Sequence, residues 1–359
     1  MKIRVIQPGI VSPIYSQAIY HGIAEQIQAD DSPVLVILRP ENPYICIGLH
    51  QEVIGEIDTK FCEEQQLPVI RRHVGGGTVL LDKNQLFFQF IFPKAKAPNQ
   101  PQKLYPYLLQ PVLHTYHYFG IPASLKTYND IQVSNKKIGG TGAGTINNAT
   151  VLVGSFLYDF DHQLMSQCIN SPSENFRASL EGLLEQSMTT INAQLTNVPN
   201  VEELTHVFLD NISESLNMEI EKTTLYETEI NAIKLAEIEL SDHDWLNEEG
   251  KKLVSNGLKI ASGIYLLEKT LTFLGNPLTI QIEYKNRKIE SIWLESQDKK
   301  VQATLIFITA ELNLLKPEVI YEELLLIISI AATKLKLFQN ADIETLTQEI
   351  YKLANFTEY

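Results

Sequence analysis

The chain has 359 residues, of which 44% are apolar, so it can bury a substantial core and is long enough for two domains. Its formal charge of −14 argues against a nucleic-acid partner held by bulk electrostatics, because phosphate backbones are bound by clustered Lys and Arg. Its 3 cysteines lack the C-x-x-C spacing of zinc or redox motifs, and no apolar stretch reaches the ~20 residues that span a bilayer. We therefore expect a cytoplasmic protein without a membrane segment.

The N-terminal part of the chain alternates strand-like and helix-like segments. The β-branched runs "KIRVI" and "VLVILR" favour strands, while Ile19, Ile23 and Ile27 recur at helical spacing after a Ser-Pro start signal. The pattern then predicts a strand at "YICIGL", a helix from Thr59 to Gln66 capped by Asp58, and a strand at "LPVIRR".

Beyond "RRHVGGG" the pattern remains that of β-structure. "GTVLL" and "QLFFQFIF" are separated by polar "DKNQ", which predicts a hairpin with Asp82 and Asn84 in its turn, so the glycines join strands. A helix-like stretch, broken or kinked by Pro106 and Pro111, precedes short strands at "DIQV", "KKIGG" and "TVLVGSFLYDFD". These elements predict a mixed α/β fold with a largely antiparallel sheet.

A helix and a second unit are predicted after about residue 200. The helix should pack against the first unit through one apolar face, which comprises Val201, Leu204, Phe208, Ile212 and Leu216. Residues 277–296 alternate around the polar turn "KNRK" and predict a hairpin, and helical patterns cover about 316–336 and 343–354. We therefore expect a domain over residues 1–245 and a small α+β domain over 246–359.

Three consecutive glycines follow two arginines in "RRHVGGGTVLL". Glycines between strands allow backbone N–H groups to approach a ligand, and a flanking arginine can donate charge-assisted hydrogen bonds to a carboxylate or phosphate. A glycine-rich bulge or turn in a twisted sheet is the alternative interpretation. The segment is not a P-loop, because no "GK[ST]" follows.

A second glycine cluster follows two lysines in "NDIQVSNKKIGGTGAGT". An ammonium beside an accessible backbone suits a carboxylate that becomes a mixed anhydride, or an α-phosphate. The alternative is a solvated hairpin tip at "NKK". Two segments that combine cations with glycines favour an anion-binding function.

The ordered set "YICIGLHQ", "RRHVGGGTVLLDKNQLFFQF", "NDIQV", "KKIGG" and "GSFLYDFD" resembles the lipoate–protein ligase family, within the group of biotin and lipoyl protein ligases and octanoyl transferases. The resemblance covers roughly residues 1–190. It implies an α/β (α+β) catalytic domain of the biotin/lipoyl ligase type, with a largely antiparallel sheet and an acyl tunnel beside the glycines. The part beyond 246 is similar in pattern to the small accessory domain of some lipoate ligases.

The resemblance also implies the substrates and the residues that bind them. Lipoate or octanoate would react with ATP and Mg²⁺ to give an acyl-adenylate, and the acyl group would pass to a lysine of a lipoyl domain or H-protein-like acceptor. No side chain is assigned as a metal ligand. By matching, Lys137 contacts the activated carboxylate and the phosphate, Arg71, Arg72, Gly75, Gly76 and Gly77 line the acyl pocket, and Asn129 and Asp130 lie near the nucleotide and metal.

The sequence departs from the family pattern at several positions. His73 and Val74 replace a pair in which a small hydroxyl residue is common, and Val153 stands where a histidine usually precedes the glycine. We expect these changes to alter the pocket wall. The glycine-rich segment after Lys137 is expected to be mobile until a ligand binds.

A transferase without ATP, or a non-catalytic lipoyl-binding member, remains as an alternative function. A transferase of this group would use a cysteine, for which Cys168 is the candidate, although a buried structural thiol is the other interpretation. His114 and His117 are three residues apart, but no third metal ligand is evident nearby, so core packing is the favoured interpretation.

Overall fold

The computed structural model describes residues 1–127, 129–252, 254–333 and 337–356. The chain divides into two compact units, one of Met1–Asn170 with Glu185–Lys251 and one of Ser171–Leu184 with Lys252–Tyr359. The assignment of residues 1–245 and 246–359 to a catalytic and an accessory domain stays a prediction, because compactness does not show what a unit does.

The elements of the first unit position the candidate site. The strands are β1 (Lys2–Val11), β2 (Val34–Pro40), β3 (Tyr44–Ile47), β4 (Val69–Arg71), β5 (Val79–Leu81), β6 (Gln85–Pro93), β7 (Ser124–Lys126), β8 (Asp130–Val133), β9 (Lys136–Gly139), β10 (Thr141–Ile146), β11 (Ala149–Leu157) and β12 (Glu219–Lys222). The helices are α1 (Pro13–Gln26), α2 (Val53–Glu56), α3 (Thr59–Glu64), α4 (Pro101–Tyr118), α5 (His162–Cys168), α6 (Glu174–Ser187, which begins in the second unit), α7 (Ile191–Gln194), α8 (Val201–Leu216), α9 (Glu227–Leu240) and α10 (His243–Leu246), with a 3₁₀ turn at Lys94–Lys96.

The main sheet has the strand order β10–β11–β6–β2–β1–β12. β1 is parallel to its neighbours β2 and β12, whereas the other pairs are antiparallel, which confirms the predicted mixed fold with a largely antiparallel sheet. Every residue of β6 is buried, because β6 lies in the middle of the sheet. This explains why its sequence, apart from Gln85 and Gln89, is apolar on both faces of the strand rather than alternating.

An aromatic cluster joins α4 and α8 to the sheet. The ring of Phe208 lies 5.7 Å from that of Phe88 and 5.1 Å from that of Phe156, and the ring of Tyr116 lies 5.2 Å from Phe156. Leu204, Phe208, Ile212 and Leu216 are buried on α8, which begins after an Asn200 cap. The predicted apolar face of this helix is confirmed.

Two small sheets carry the glycine-rich segments. β3 lies between β4, which is parallel to it, and β5, which is antiparallel, while β7, β8 and β9 form an antiparallel meander. The hairpin predicted around Asp82 and Asn84 is wrong. The Asp82 carboxylate accepts the Asn84 N–H at 2.8 Å as expected of a turn, but β5 pairs with β3 and β6 pairs with β2 and β11. The alternation of apolar and polar residues shows which face of a sheet each residue occupies, but it does not show which strands pair with each other.

Several predicted elements have different bounds in the structure. α3 begins at Thr59, where the Asp58 carboxylate accepts the Phe61 N–H at 3.0 Å, but it ends two residues before the predicted Gln66. α4 runs through Pro106 and Pro111 as one helix, so of the two predicted outcomes the break does not occur and the kink stays a prediction. A buried apolar face outweighs the ~3 kcal/mol that an interior proline costs. The segment expected to be mobile after Lys137 is strand β10, paired with β11.

The second unit contains an antiparallel sheet and helices. Its elements are β13 (Gly257–Ala261), β14 (Ile264–Phe273), β15 (Asn276–Lys285), β16 (Lys288–Ser296), α11 (Lys299–Leu315), α12 (Tyr321–Ala332) and α13 (Asn340–Ala354). The predicted hairpin is confirmed, and its turn residues Asn286 and Arg287 have φ of 50° and 70°, as a tight primed turn requires.

The helices of the second unit differ from their predicted bounds. The pattern at 316–336 corresponds to the shorter α12, and residues 334–336 lie outside the described part of the chain. The pattern at 343–354 belongs to α13, which begins three residues earlier, at Asn340. Nowhere among the described residues is a helix both long enough and apolar enough to cross a bilayer.

Candidate functional site

The triple-glycine turn, Gly75–Gly77, connects β4 to β5 on opposite sides of β3. Gly76 has a φ of +109°, and Gly48 at the end of β3 approaches it so closely that an added Cβ would lie 2.0 Å from the Gly76 carbonyl oxygen. By contrast, a Cβ added at Gly75 would find no heavy atom within 4 Å. The turn is therefore packed on its Gly76 side and faces open space at Gly75.

Arg72 holds this turn in place. Its guanidinium donates hydrogen bonds to the carbonyl oxygens of Gly75 at 3.0 Å, Gly77 at 2.8 Å and Cys46 at 3.1 Å. The residue is only 7% exposed. The three carbonyls belong to the turn and to β3, so the side chain fixes the turn against the small sheet.

Arg71 is fully buried, and all five of its N–H groups donate to backbone carbonyls. The acceptors are Leu49 at 2.8 Å, Gln51 at 2.7 Å, Leu246 at 3.0 and 3.2 Å, and Glu248 at 2.9 Å. The guanidinium thus joins the segment after β3 to the segment after α10. Every N–H group of Arg71 is thus engaged by the fold and Arg72 is bonded to the turn, while their predicted place in the acyl pocket stays a prediction.

Lys137 and Asp130 face each other on the neighbouring strands β9 and β8. The Lys137 ammonium lies 3.3 Å from a carboxylate oxygen of Asp130, and the two side chains are 27% and 13% exposed. Asn129 precedes β8, and its carbonyl accepts the Thr141 hydroxyl at 2.5 Å. The structure therefore pairs two of the predicted site residues, Lys137 and Asp130, and Asn129 is next to Asp130 in the chain.

β10 connects this cation to the triple-glycine turn. A Cβ at Gly142 would lie 3.0 Å from the Gly75 carbonyl oxygen and 3.5 Å and 3.8 Å from methyl groups of Val74 and Val153. At Gly140, between β9 and β10, an added Cβ would meet nothing within 4 Å. Open space therefore adjoins both glycine segments, and the two valines that depart from the family pattern flank the strand between them.

His73 does not line this space but stacks between two other rings. Its imidazole lies 3.7 Å from that of His21 and 4.4 Å from the ring of Trp245, and the Glu239 carboxylate lies 3.7 Å from Nε2 of both histidines. Burial and the neighbouring His21 lower the pKa of His73 to about 3. Sequence reasoning missed this cluster, because its members lie on segments far apart in the chain.

Cys168, the candidate transferase nucleophile, is fully buried. A hydrogen bond with the Cys62 thiol, together with burial, raises the pKa of the Cys168 thiol well above its ordinary value. Cys62 is 1% exposed and Cys46 is fully buried. A neutral, buried thiol is a poor nucleophile, so this conformation does not activate Cys168.

Comparisons of sequence match the chain to one family model and to two kinds of relative. The lipoyl protein ligase A/B catalytic domain family matches residues 12–213. The chain is 24% identical over 241 residues to lipoate–protein ligase 1 of Staphylococcus aureus, covering 67% of this chain and 66% of that protein. It is 25% identical over 259 residues to octanoyltransferase LipM of Halalkalibacterium halodurans, covering 64% of this chain and 93% of that protein. The chain thus matches just under two thirds of the length of the staphylococcal ligase.

Comparisons of structure support the same fold. A bipartite lipoate protein ligase of Thermoplasma acidophilum has a TM-score of 0.64 at 20% identity, covering 71% of this chain and 100% of that one. A lipoate-protein ligase A bound with ATP has a TM-score of 0.59 at 19% identity, covering 68% and 98%. LipL1 of P. falciparum in complex with lipoate has a TM-score of 0.55 at 18% identity, covering 97% and 99%. The fold is that of a lipoate ligase-type domain with a C-terminal addition, and the chain belongs to the lipoyl protein ligase A/B catalytic domain family.

Proposed function

We propose that the protein is an ATP-dependent lipoate–protein ligase. It activates lipoate, or octanoate, to an acyl-adenylate and transfers the acyl group to a lysine of a lipoyl domain or H-protein-like acceptor. The observation that carries this proposal is the partly exposed Lys137 ammonium, paired with Asp130 on strands that lead to the open space at Gly140. The ligases among its relatives and structural neighbours support the same reaction.

The proposed role of Lys137 is electrostatic. Joining a carboxylate to a nucleotide phosphate brings negative charges together, and a cation fixed in place stabilises them without reorganisation. Asp130, 3.3 Å from the ammonium, orients it. Gly75 adjoins the space in which the acyl chain would lie, and Gly76 and Gly77 shape the turn beside it. Arg71 and Arg72 serve the acyl pocket by holding the backbone that forms it.

Mg²⁺ fits the polar end of this site. Asn129 and Asp130 provide amide and carboxylate oxygens, the hard donors that Mg²⁺ prefers; both residues are partly buried, and Asp130 lies beside Lys137. When bound, the ion would neutralise charge on the nucleotide phosphates. The contribution of the chain itself is to hold these oxygens and the ammonium on adjacent strands.

An octanoyl or lipoyl transferase that works without ATP is the second candidate, because an octanoyltransferase is also among the relatives. Such an enzyme would form a thioester on a cysteine. The burial of Cys168 and the raised pKa of its thiol disfavour this reaction in the observed conformation.

We also propose that residues 246–359 form the accessory domain of the ligase and 1–245 its catalytic domain.

Pyrophosphate exchange distinguishes these functions. With lipoate, ATP and Mg²⁺, the purified ligase would incorporate labelled pyrophosphate into ATP, and Lys137→Ala would abolish this exchange without unfolding the protein. A transferase would instead show no pyrophosphate exchange. It would transfer octanoate from a carrier protein, and Cys168→Ala would abolish this transfer. Binding of a lipoyl domain without either activity would identify a non-catalytic member.

A further inference from the structure

Three potential metal ligands meet in a part of the first unit that the proposed reaction does not use. His21 lies on α1, His73 precedes the triple-glycine turn, and Glu239 lies in the last turn of α9. One nitrogen or oxygen atom of each lies within 4.8 Å of the others, and the Glu239 oxygen is 3.7 Å from Nε2 of both histidines. Ligand atoms around a tetrahedral Zn²⁺ lie about 3.4 Å apart, given Zn–N and Zn–O bonds of about 2.0–2.1 Å. The carboxylate already lies near this spacing.

We propose that His21, His73 and Glu239 bind one divalent transition-metal ion, for which Zn²⁺ is the best match. Two imidazoles and one carboxylate form a donor set that suits Zn²⁺ and leaves a fourth position for water. The Glu239 side chain is 45% exposed and His21 only 6%. The ion would therefore reach a buried pair of rings from the solvent side.

The packing of two helices explains why these residues can meet. α1 and α9 approach each other at Gly22, where an added Cβ would lie 2.5 Å from the backbone nitrogen of Ile233. The close approach brings the carboxylate of Glu239 to the imidazole of His21. His73 enters from the loop that follows β4, and Trp245 packs on the outer face of its ring.

The hydrogen bonding of the histidines also points to a ligand. Nε2 of His73 is buried and has no hydrogen-bond partner among the described residues. A buried polar nitrogen without a partner destabilises the folded state. Glu25 adds a second carboxylate, 3.4 Å from Nε2 of His21. A cation between these groups would satisfy the nitrogen and balance the two carboxylates.

Binding requires one conformational change. The His21 and His73 rings are stacked with an angle of 25° between their planes, whereas the lone pair of each ligating nitrogen lies in the plane of its ring. The rings must tilt further apart for both lone pairs to point at one ion. The bound ion would then link α1 and α9 to the residue that precedes Val74 and the glycine turn.

The test uses the tag-free, full-length protein after metal removal. Titration with Co²⁺ should produce the visible bands of a four-coordinate site at one ion per chain, and Zn²⁺ should displace the Co²⁺. His73→Phe keeps a flat ring between His21 and Trp245 but removes a ligand, and Glu239→Gln removes the charge at a half-exposed position. Loss of an outer-shell partner weakens metal binding by about 10–100-fold. Because each of these variants loses a direct ligand, each should weaken Co²⁺ binding by more than that.

A matched control is available on α8. His206→Ala removes an exposed histidine that lies 3.5 Å from the Asp210 carboxylate, and this variant should bind Co²⁺ as the unaltered protein does. Absence of the visible bands, or equal binding by Glu239→Gln and the unaltered protein, would show that the rings only pack together. If His73→Phe fails to fold by circular dichroism, Glu239→Gln alone decides. The readout does not depend on acyl transfer, so it stands apart from the proposed function.

Discussion

The two arginines before the triple glycine and the lysine on β9 carry the same charge in similar glycine-rich sequences, but the structure uses them differently. All five N–H groups of Arg71 donate to backbone carbonyls, and Arg72 donates to the turn itself. Lys137 has a carboxylate at 3.3 Å and remains 27% exposed. The comparison teaches that a cation near glycines indicates a ligand site only when its donors are not already occupied by the fold.

The largest expected effect is on stability at Arg71. Arg71→Gln would remove the donors of one buried carbonyl, that of Gln51, and of three partly buried ones, and a buried group left unpaired costs about 1–3 kcal/mol, so we expect a loss of about 3–5 kcal/mol in the free energy of unfolding of the first unit. Denaturant unfolding measures it. Arg39→Gln is the control, because Arg39 donates to the Lys83 carbonyl in an exposed position. If the Arg71→Gln protein were as stable as the unaltered protein but had lost activity, the Arg71 guanidinium would instead contact the substrate.

Lys137 should show the opposite pattern, a large effect on activity with little on stability. Lys137→Gln would lower pyrophosphate exchange by about 10²–10³-fold, as loss of a preorganised charge stabiliser does. The unfolding free energy would change by about 1 kcal/mol, because glutamine can still donate a hydrogen bond to the Asp130 carboxylate. Lys136→Gln is the matched control, since its exposed ammonium donates to the Glu185 carbonyl at 3.2 Å. Equal losses of pyrophosphate exchange in the two variants would show that Lys137 has no role that the neighbouring Lys136 lacks.

Substitutions at Gly48 and Gly75 distinguish a glycine that is required for packing from one that adjoins the proposed ligand. Gly48→Ala places a Cβ 2.0 Å from the Gly76 oxygen and should cost about 1–3 kcal/mol in unfolding free energy, because the turn must shift. Gly75→Ala meets nothing within 4 Å and should change stability by less than about 0.5 kcal/mol. If the acyl chain passes Gly75, the second variant still raises the KM for lipoate. An unchanged KM for lipoate would show that the acyl chain does not pass this turn.

The effect on pyrophosphate exchange is expected to be smaller at Asp130 than at Lys137. Asp130→Asn keeps an oxygen that can accept from Lys137 but removes the charge, so we expect about a tenfold loss in pyrophosphate exchange, or roughly 1.4 kcal/mol. The double variant with Lys137→Gln should be no worse than Lys137→Gln alone, because the two groups act as one unit. Full additivity would indicate that Asp130 acts separately, for example through the metal ion.

Local signals predicted local structure well. The Asp58 cap, the apolar face of α8 and the turn at Asn286 and Arg287 were predicted correctly, because each depends on residues a few positions apart. The lysine and its glycines were recognised from motifs. What the sequence could not show is the long-range pairing. The acceptors of Arg71 include Leu246, 175 residues away, and the partners of β5 and β6 lie in different sheets.

The same limit applies to the metal candidate. A histidine in a strand-to-glycine loop, another in a helix and a glutamate near the end of a distant helix give no shared spacing that a sequence motif could capture. Strand β10 was missed for a different reason. Its glycines have low strand propensity, but the close approach of Gly142 to the Gly75 carbonyl excludes larger side chains.

The path of the chain through α6 has a practical consequence. The compact unit that includes the C-terminal residues also takes in Ser171–Leu184, so the polypeptide enters it, leaves and enters it again. Ser173 donates to Glu268 at 2.9 Å, and Asn175 donates to Gln281 at 3.0 Å. A gene truncated after codon 251 would therefore encode an amphipathic segment stripped of its sheet. Dissection of this protein into separately expressed halves calls for circular permutation or deletion of that segment rather than a single cut.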